Sequence, residues 1–131
     1  MKNLSKKLGE MEFDGFVTDI IPEVQVSGGV IEKLASEATY KRGTILAKSS
    51  TSGKLVILGT TADEGDTLTP DCILCDETVV GTEADVSVEV YTAGCFDPKK
   101  TFVADGYTIT EADKDKLRER NIVFKAASDA E

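Results

Sequence analysis

The alternation of valines with polar residues between positions 86 and 90 is the feature that most constrains the fold. Val86, Val88 and Val90 occupy every second position, and Ser87 and Glu89 lie between them. Successive side chains of a strand point to opposite faces, so this pattern predicts a strand with one buried and one wet face. The chain is therefore expected to be built around a β-sheet.

Other apolar runs predict further strands. Residues 44–47 and 54–58 are two runs of apolar residues that favour strands. The polar segment 49–53 between them ends in Gly53, which is typical of a hairpin. Residues 72–75 predict a short strand, and residues 24–26 predict one that stops at Gly28 and Gly29. Residues 30–38 fit either a helix or a strand, and their flanking residues slightly favour the strand.

One short helix is predicted in the C-terminal region. Thr110 is a good N-cap because acidic residues follow it in the opening turns, and Asn121 is a suitable left-handed stop. The helix is expected to bury little beyond Ala112 and Leu117, and residues 122–124 predict a closing strand. The fold class predicted is mainly β: a compact small β-barrel-like domain with one short helix near the C-terminus and an extended N-terminal arm.

Residues 1–22 are interpreted as the arm and residues 23–131 as the β-rich domain. The apolar positions of the arm follow no steady period, and Gly9, Gly15 and Pro22 interrupt any regular element. One interpretation is a partly ordered terminus, and the other is an arm that docks its apolar side chains on a partner. The candidate docking residues are Phe13, Phe16, Val17, Ile20 and Ile21.

Charge and composition exclude several classes of protein. A net charge of −9 argues against nucleic acid as the main partner, because phosphate binding requires a positive field. The one obvious basic patch is the short group Lys2, Lys6 and Lys7. Acidic residues break the stretch that a signal peptide would need, and no run is long enough to span a bilayer, so no membrane partner is expected. The absence of Trp among 131 residues predicts one modest core, which burial between subunits would enlarge.

The cysteines offer little chemistry. Their number, 3, fits poorly with a disulfide framework and indicates a protein made in a reducing cytoplasm. Cys72 and Cys75 have CxxC spacing, but only Cys95 remains and the chain has no His to complete a zinc site. A strand places residues three apart on opposite faces, whereas redox pairs lie at helix N-termini. Small buried side chains are the favoured interpretation.

No other group of residues predicts a catalytic, cofactor or metal site. The acidic residues Asp63, Glu64 and Asp66 lack the ligand series of a calcium loop and are interpreted as a solvated loop. Gly28 and Gly29 are not followed by the Lys-Ser/Thr of a phosphate loop. A nucleophilic Ser would lack its usual His base. The sequence therefore predicts neither an enzyme nor a small-molecule substrate.

Residues 41–46 read Lys-Arg-Gly-Thr-Ile-Leu and resemble the Arg-Gly-Thr-hydrophobic-Leu strand of bacteriophage head decoration (capsid cement) proteins, the family of the phage lambda head decoration protein. The order that follows is also similar: a hairpin, an apolar strand at 72–74, a turn, the valine-rich strand, and residues 94–96. A short helix with Leu117 and Arg118 and the closing run 121–124 complete the match. The resemblance covers about residues 40–125.

The resemblance implies a virion structural protein without cofactors. Members of this family are β-rich, usually form homotrimers, and bind the major capsid protein on the outer surface of the expanded capsid. They occupy three-fold or quasi-three-fold positions and reinforce the shell against internal DNA pressure. Their N-terminal segment typically orders against the capsid, sometimes by strand addition. Such a protein is made in the host cytoplasm and resides on the virion.

Two alternatives stay open at this point. One is another phage structural β-module, such as a tail-tube or fibre subunit. The other, which the strand position of Cys72 and Cys75 disfavours, is a small CxxC redox or metal protein.

Overall fold

The computed structural model describes residues 15–19 and 22–126, and within them the chain forms nine strands, one 3-10 turn and one α-helix. The helix α1 spans Glu111–Glu119 and the 3-10 turn spans Pro98–Lys100. The strands are β1 Val17–Asp19, β2 Gln25–Ile31, β3 Ala38–Tyr40, β4 Ile45–Ser49, β5 Leu55–Ile57, β6 Leu68–Leu74, β7 Thr78–Val80, β8 Val86–Phe96 and β9 Ile122–Phe124.

Five of these strands close into a barrel in the order β2-β5-β4-β6-β8. The β2–β5 pair is parallel and the other four pairs are antiparallel. The barrel closes where β6 meets β8, with Ile73 opposite Tyr91 and Leu74 opposite Val90. The prediction of a mainly β, barrel-like fold with one helix near the C-terminus is confirmed.

The long strand β8 continues past the barrel and carries two more strands on its C-terminal half. β1 pairs with it antiparallel, with Val17 opposite Phe96, and β9 pairs with it parallel, with Gly94 opposite Ile122. A separate two-stranded sheet consists of β3 and β7. The closing strand β9 and part of the predicted arm thus both pair with one strand.

Both faces of the central strands are buried, because other elements cover each face. Neighbouring residues of β4 and β6 enter different clusters: Ile45 and Ile73 pack in one, and Leu46 and Cys72 pack in the other. The first cluster receives residues of β1, β9 and α1, and the second receives residues of the β3–β7 sheet. Double burial explains why residues 45–47 and 72–75 are continuous apolar runs without alternation.

Several local predictions are confirmed. β4 and β5 form the predicted hairpin, and β9 is the closing strand. Thr110 caps α1: its hydroxyl accepts from the Asp113 amide and its own amide donates to the Asp113 carboxylate, each at 3.1 Å. Asn121 has φ 67°, the left-handed conformation expected of a helix stop.

Three local predictions need correction. β2 does not stop at the glycine pair but runs through it, because Gly28 and Gly29 pair with Glu89 and Val88 of β8. Residues 30–38 belong to strands only at their ends, and residues 32–37 form a connection. Ala112 is exposed, so Leu117 is the buried residue of the helix.

Candidate interaction surface

Two of the predicted docking residues, Phe16 and Val17, lie in the core of their own chain. Their exposed fractions are 2% and 3%. Both belong to the first cluster because β1 pairs with β8 and carries them inward. The prediction that they contact a partner is therefore wrong for these two residues: a side chain this deeply buried has no surface to offer. Phe13, Ile20 and Ile21 lie outside the described residues.

Phe16 belongs to a packed aromatic group that includes Tyr91 and Phe96. Its ring centre lies 5.0 Å from that of Phe96 and 6.1 Å from that of Tyr91, and the Tyr91 and Phe96 rings are 5.0 Å apart. These tilted arrangements fall in the favourable range for aromatic pairs. The group fixes the first residues of the described chain onto the end of the barrel.

Arg42, from the sequence motif 41–46, covers this aromatic group. Its guanidinium carbon lies 5.1 Å from the centre of the Phe16 ring and 5.5 Å from that of Tyr91. The same guanidinium donates to the Cys75 carbonyl at 3.1 Å and to the Tyr91 hydroxyl. Sequence reasoning treated Arg42 only as part of a family motif, because its contacts come from three distant segments.

The next two motif residues join the start of β4 to the 3-10 turn. Gly43 has φ +98°, and a Cβ there would lie 2.4 Å from the Lys100 carbonyl oxygen. Its amide donates to the Leu74 carbonyl, and its carbonyl accepts from the Phe102 amide. Thr44 is fully buried, and its hydroxyl donates to the Lys41 carbonyl at 2.7 Å. The motif therefore acts as a structural joint.

A basic groove of about 390 Å³ lies beside this joint. It contains the partly exposed ring of Phe102, whose exposed fraction is 41%, and the Lys41 ammonium lies 5.7 Å from the centre of that ring. Gly15 lies at its edge, since a Cβ at Gly15 would be 2.9 Å from Lys100 Nζ. The residues that line the groove are Phe16, Lys41, Arg42, Glu77, Lys99, Lys100 and Phe102.

Sequence reasoning missed this groove. It singled out only Lys2, Lys6 and Lys7 as a basic patch, because those residues are close along the chain. The groove instead combines Lys41 and Arg42 with Lys99 and Lys100, which the β4 joint brings together. The adjacent pairs at 41–42 and 99–100 were the available signal, but nothing in the sequence placed them side by side.

The cysteines are buried and form no disulfide with one another, with exposed fractions of 0% for Cys72, 7% for Cys75 and 2% for Cys95. Cys72 in β6 and Cys75 just after its end pack in different clusters, so the two thiols do not form a pair. Burial raises the pKa of the Cys72 thiol, with a further contribution from the neighbouring Asp71. This thiol is a poor nucleophile, because reactive cysteines require a lowered pKa and access to solvent.

In the acidic loop, Asp63 and Glu64 are exposed, whereas Asp66 is half-buried. Its carboxylate accepts from the hydroxyls of Ser49 and Ser50 at 2.8 and 2.9 Å, and from the amides of Ser50, Thr51 and Thr67. The hydrogen bond from Ser49, with those from Ser50, Thr51 and Thr67, lowers the pKa of Asp66. Asp66 is half-buried within this otherwise exposed loop, and it ties the β4–β5 loop to the start of β6.

Within residues 15–19 and 22–126, no group of three or more Cys, Asp or Glu side chains is arranged to hold a metal ion. Among the same residues, every buried side-chain nitrogen or oxygen has a hydrogen-bond partner. No helix in the described part of the chain is long and apolar enough to cross a membrane.

Comparison with known proteins adds no family assignment. No protein-family model matches the chain, and no curated protein matches it.

Proposed function

We propose that this chain is a capsid decoration protein, which binds the outer surface of an expanded phage capsid and stabilises the shell. The observation that carries the proposal is the ordered resemblance of residues 40–125 to that family, with the Lys-Arg-Gly-Thr-Ile-Leu segment at its start. In this proposal the protein works by binding and has no catalytic step.

The geometry of that segment supports a structural role. Arg42, Gly43 and Thr44 connect the aromatic group, the 3-10 turn and β4 through packing and hydrogen bonds. A protein that must withstand load benefits from such a joint, because it couples Phe16, next to β1, to the barrel. The acidic net charge of −9 is compatible with an outer surface and gives no reason for contact with packaged DNA.

The burial of Phe16 and Val17 removes these two residues from the proposed capsid contact, which leaves Phe13, Ile20 and Ile21 as the candidate docking residues. β1 already adds a strand to β8 of its own chain, so strand addition to a capsid sheet would have to use other residues of the arm. In a homotrimer, three arms would bind together, so each contact can be weak while the trimer stays bound.

The test mixes the purified protein with expanded capsids assembled in its absence. We expect saturable binding at three-fold or quasi-three-fold positions, seen by image reconstruction, and a higher temperature of capsid disruption. A variant that lacks residues 1–14 should bind more weakly while it retains the barrel.

The alternative assignments give different results in the same system. Mass spectrometry of separated heads and tails should place the chain with the heads. Recovery only in tails would support a tail-tube or fibre subunit, and absence of binding to any capsid would overturn the proposal.

A further inference from the structure

The basic groove beside the β4 joint is lined by two aromatic and four basic residues, on a chain that is strongly acidic overall. Lys41, Lys99 and Lys100 are exposed, and Phe102 presents 41% of its surface. Glu77 is the acidic side chain among the lining residues. Such a surface suits an acidic ligand that carries an apolar or aromatic side chain.

The segment that immediately precedes the described chain has this chemistry. Residues 10–14 read Glu-Met-Glu-Phe-Asp, so three carboxylates alternate with Met11 and Phe13. In an extended segment, that alternation would place the carboxylates on one side and the apolar side chains on the other.

The point where this segment joins the described chain lies at the groove. A Cβ at Gly15 would lie 2.9 Å from Lys100 Nζ, and the next residue, Phe16, lines the groove. An extended chain covers about 3.3–3.6 Å per residue, so residues 10–14 reach at most roughly 18 Å from Gly15. Phe13 is two residues away and is within reach of Phe102.

We propose that residues 10–14 dock in the basic groove of their own chain, with Phe13 beside Phe102 and the carboxylates near Lys41, Lys99 and Lys100. Charge complementarity orients the segment, and burial of the two aromatic rings adds apolar contact. The docking does not depend on any capsid.

The experiment uses the absence of Trp from the chain. Phe13→Trp in the full-length protein introduces a single indole, whose emission maximum and acrylamide quenching report its exposure. We expect blue-shifted emission and slow quenching in the otherwise unchanged chain. The double reversal K99E/K100E should shift the emission to the red and raise the quenching constant several-fold.

A matched control makes the same charge change elsewhere: K48E/K116E replaces two exposed lysines outside the groove. It should leave the indole protected. Near 1 M salt, where the screening length falls to about 3 Å, the indole of the unreversed chain should also become more accessible. The salt series needs no groove substitution, so it tests the proposal even if K99E/K100E folds poorly.

Three outcomes would overturn the proposal. The first is an indole that, in the chain without charge reversal, is as exposed in buffer as it is in urea. The second is protection that survives both K99E/K100E and high salt. The third is protection that disappears on dilution, which would assign the groove to the segment of a second copy.

Discussion

The guanidinium carbon of Arg42 lies 5.1 Å from the centre of the Phe16 ring. Phe16 comes from the segment that the sequence marks as an arm, and Arg42 comes from the motif that opens the β4 hairpin. Their contact shows that Phe16 packs against the barrel, although the sequence pattern places this residue in the arm. Phe16 is 2% exposed, so its burial contributes to the stability of this end of the barrel.

Two truncations should therefore differ sharply. Removal of residues 1–14 leaves β1 intact and should change the urea midpoint little. Removal of residues 1–21 deletes the buried Phe16 and Val17 and should cost more than about 4 kcal/mol of unfolding free energy. Urea denaturation followed by circular dichroism measures both. Equal midpoints for the two truncations would show that β1 contributes no stability.

Replacement of Arg42 tests the contact itself. Arg42→Ala removes a stacked cation from two rings and a charged donor from the Cys75 carbonyl and the Tyr91 hydroxyl. We expect a loss of about 2–4 kcal/mol. Arg42→Lys should recover only part of it, because an ammonium lacks the planar fork that stacks and donates together.

The neighbouring Lys41→Ala is the control for Arg42. Lys41 is exposed and lies 5.7 Å from the partly exposed Phe102 ring. Its removal should cost no more than about 1 kcal/mol. If the two alanine variants have equal stability, Arg42 does not hold the joint.

The features that sequence reasoning predicted are those fixed by neighbours along the chain. The alternation at 86–90, the Thr110 cap and the Asn121 stop each depend on residues within a few positions. The β4–β5 hairpin likewise follows from two runs and the loop between them.

The features that were missed depend on contacts between distant segments. Phe16 is buried because Phe96 and Arg42 pack against it, and no local sequence pattern predicts either contact. The Gly28–Gly29 pair is a local signal for a strand end, but pairing with the distant residues Val88 and Glu89 keeps both glycines within the strand. The basic groove could not be predicted for the same reason, because residues 41–42 and 99–100 are distant along the chain.

Gly43 should be far less tolerant of substitution than another glycine with positive φ. Gly43→Ala adds backbone strain at φ +98° and a Cβ only 2.4 Å from the Lys100 carbonyl oxygen, which cannot move without shifting the 3-10 turn. The strain alone is on the order of 1–3 kcal/mol, and the clash adds to it. Gly53→Ala, at φ +72° with nothing within 4 Å of the Cβ, should show the strain alone. Thermal unfolding of both variants measures the difference, and similar losses would mean that the joint adapts to a larger residue.

Asp66 should make stability depend on pH in the acidic range. Hydrogen bonds led by that from Ser49 lower the pKa of this carboxyl in the folded chain. A lowered folded pKa gives stabilisation that is complete above the unfolded value and is lost as pH falls through the folded value. The loss therefore begins below about pH 4, the ordinary range for Asp.

Asp66→Asn should destabilise the protein at neutral pH. The carboxylate now accepts hydrogen bonds from N–H and O–H groups, and the amide nitrogen of Asn cannot accept them. The difference between the two proteins should shrink as pH falls below about 4, since the wild-type carboxyl then takes up a proton. Asp63→Asn is the matched control, because Asp63 is exposed and contributes its backbone carbonyl to the Asp66 amide. Urea midpoints measured across this pH range test the idea, and a gap between wild type and Asp66→Asn that stays constant with pH would refute the role of the ionised carboxylate.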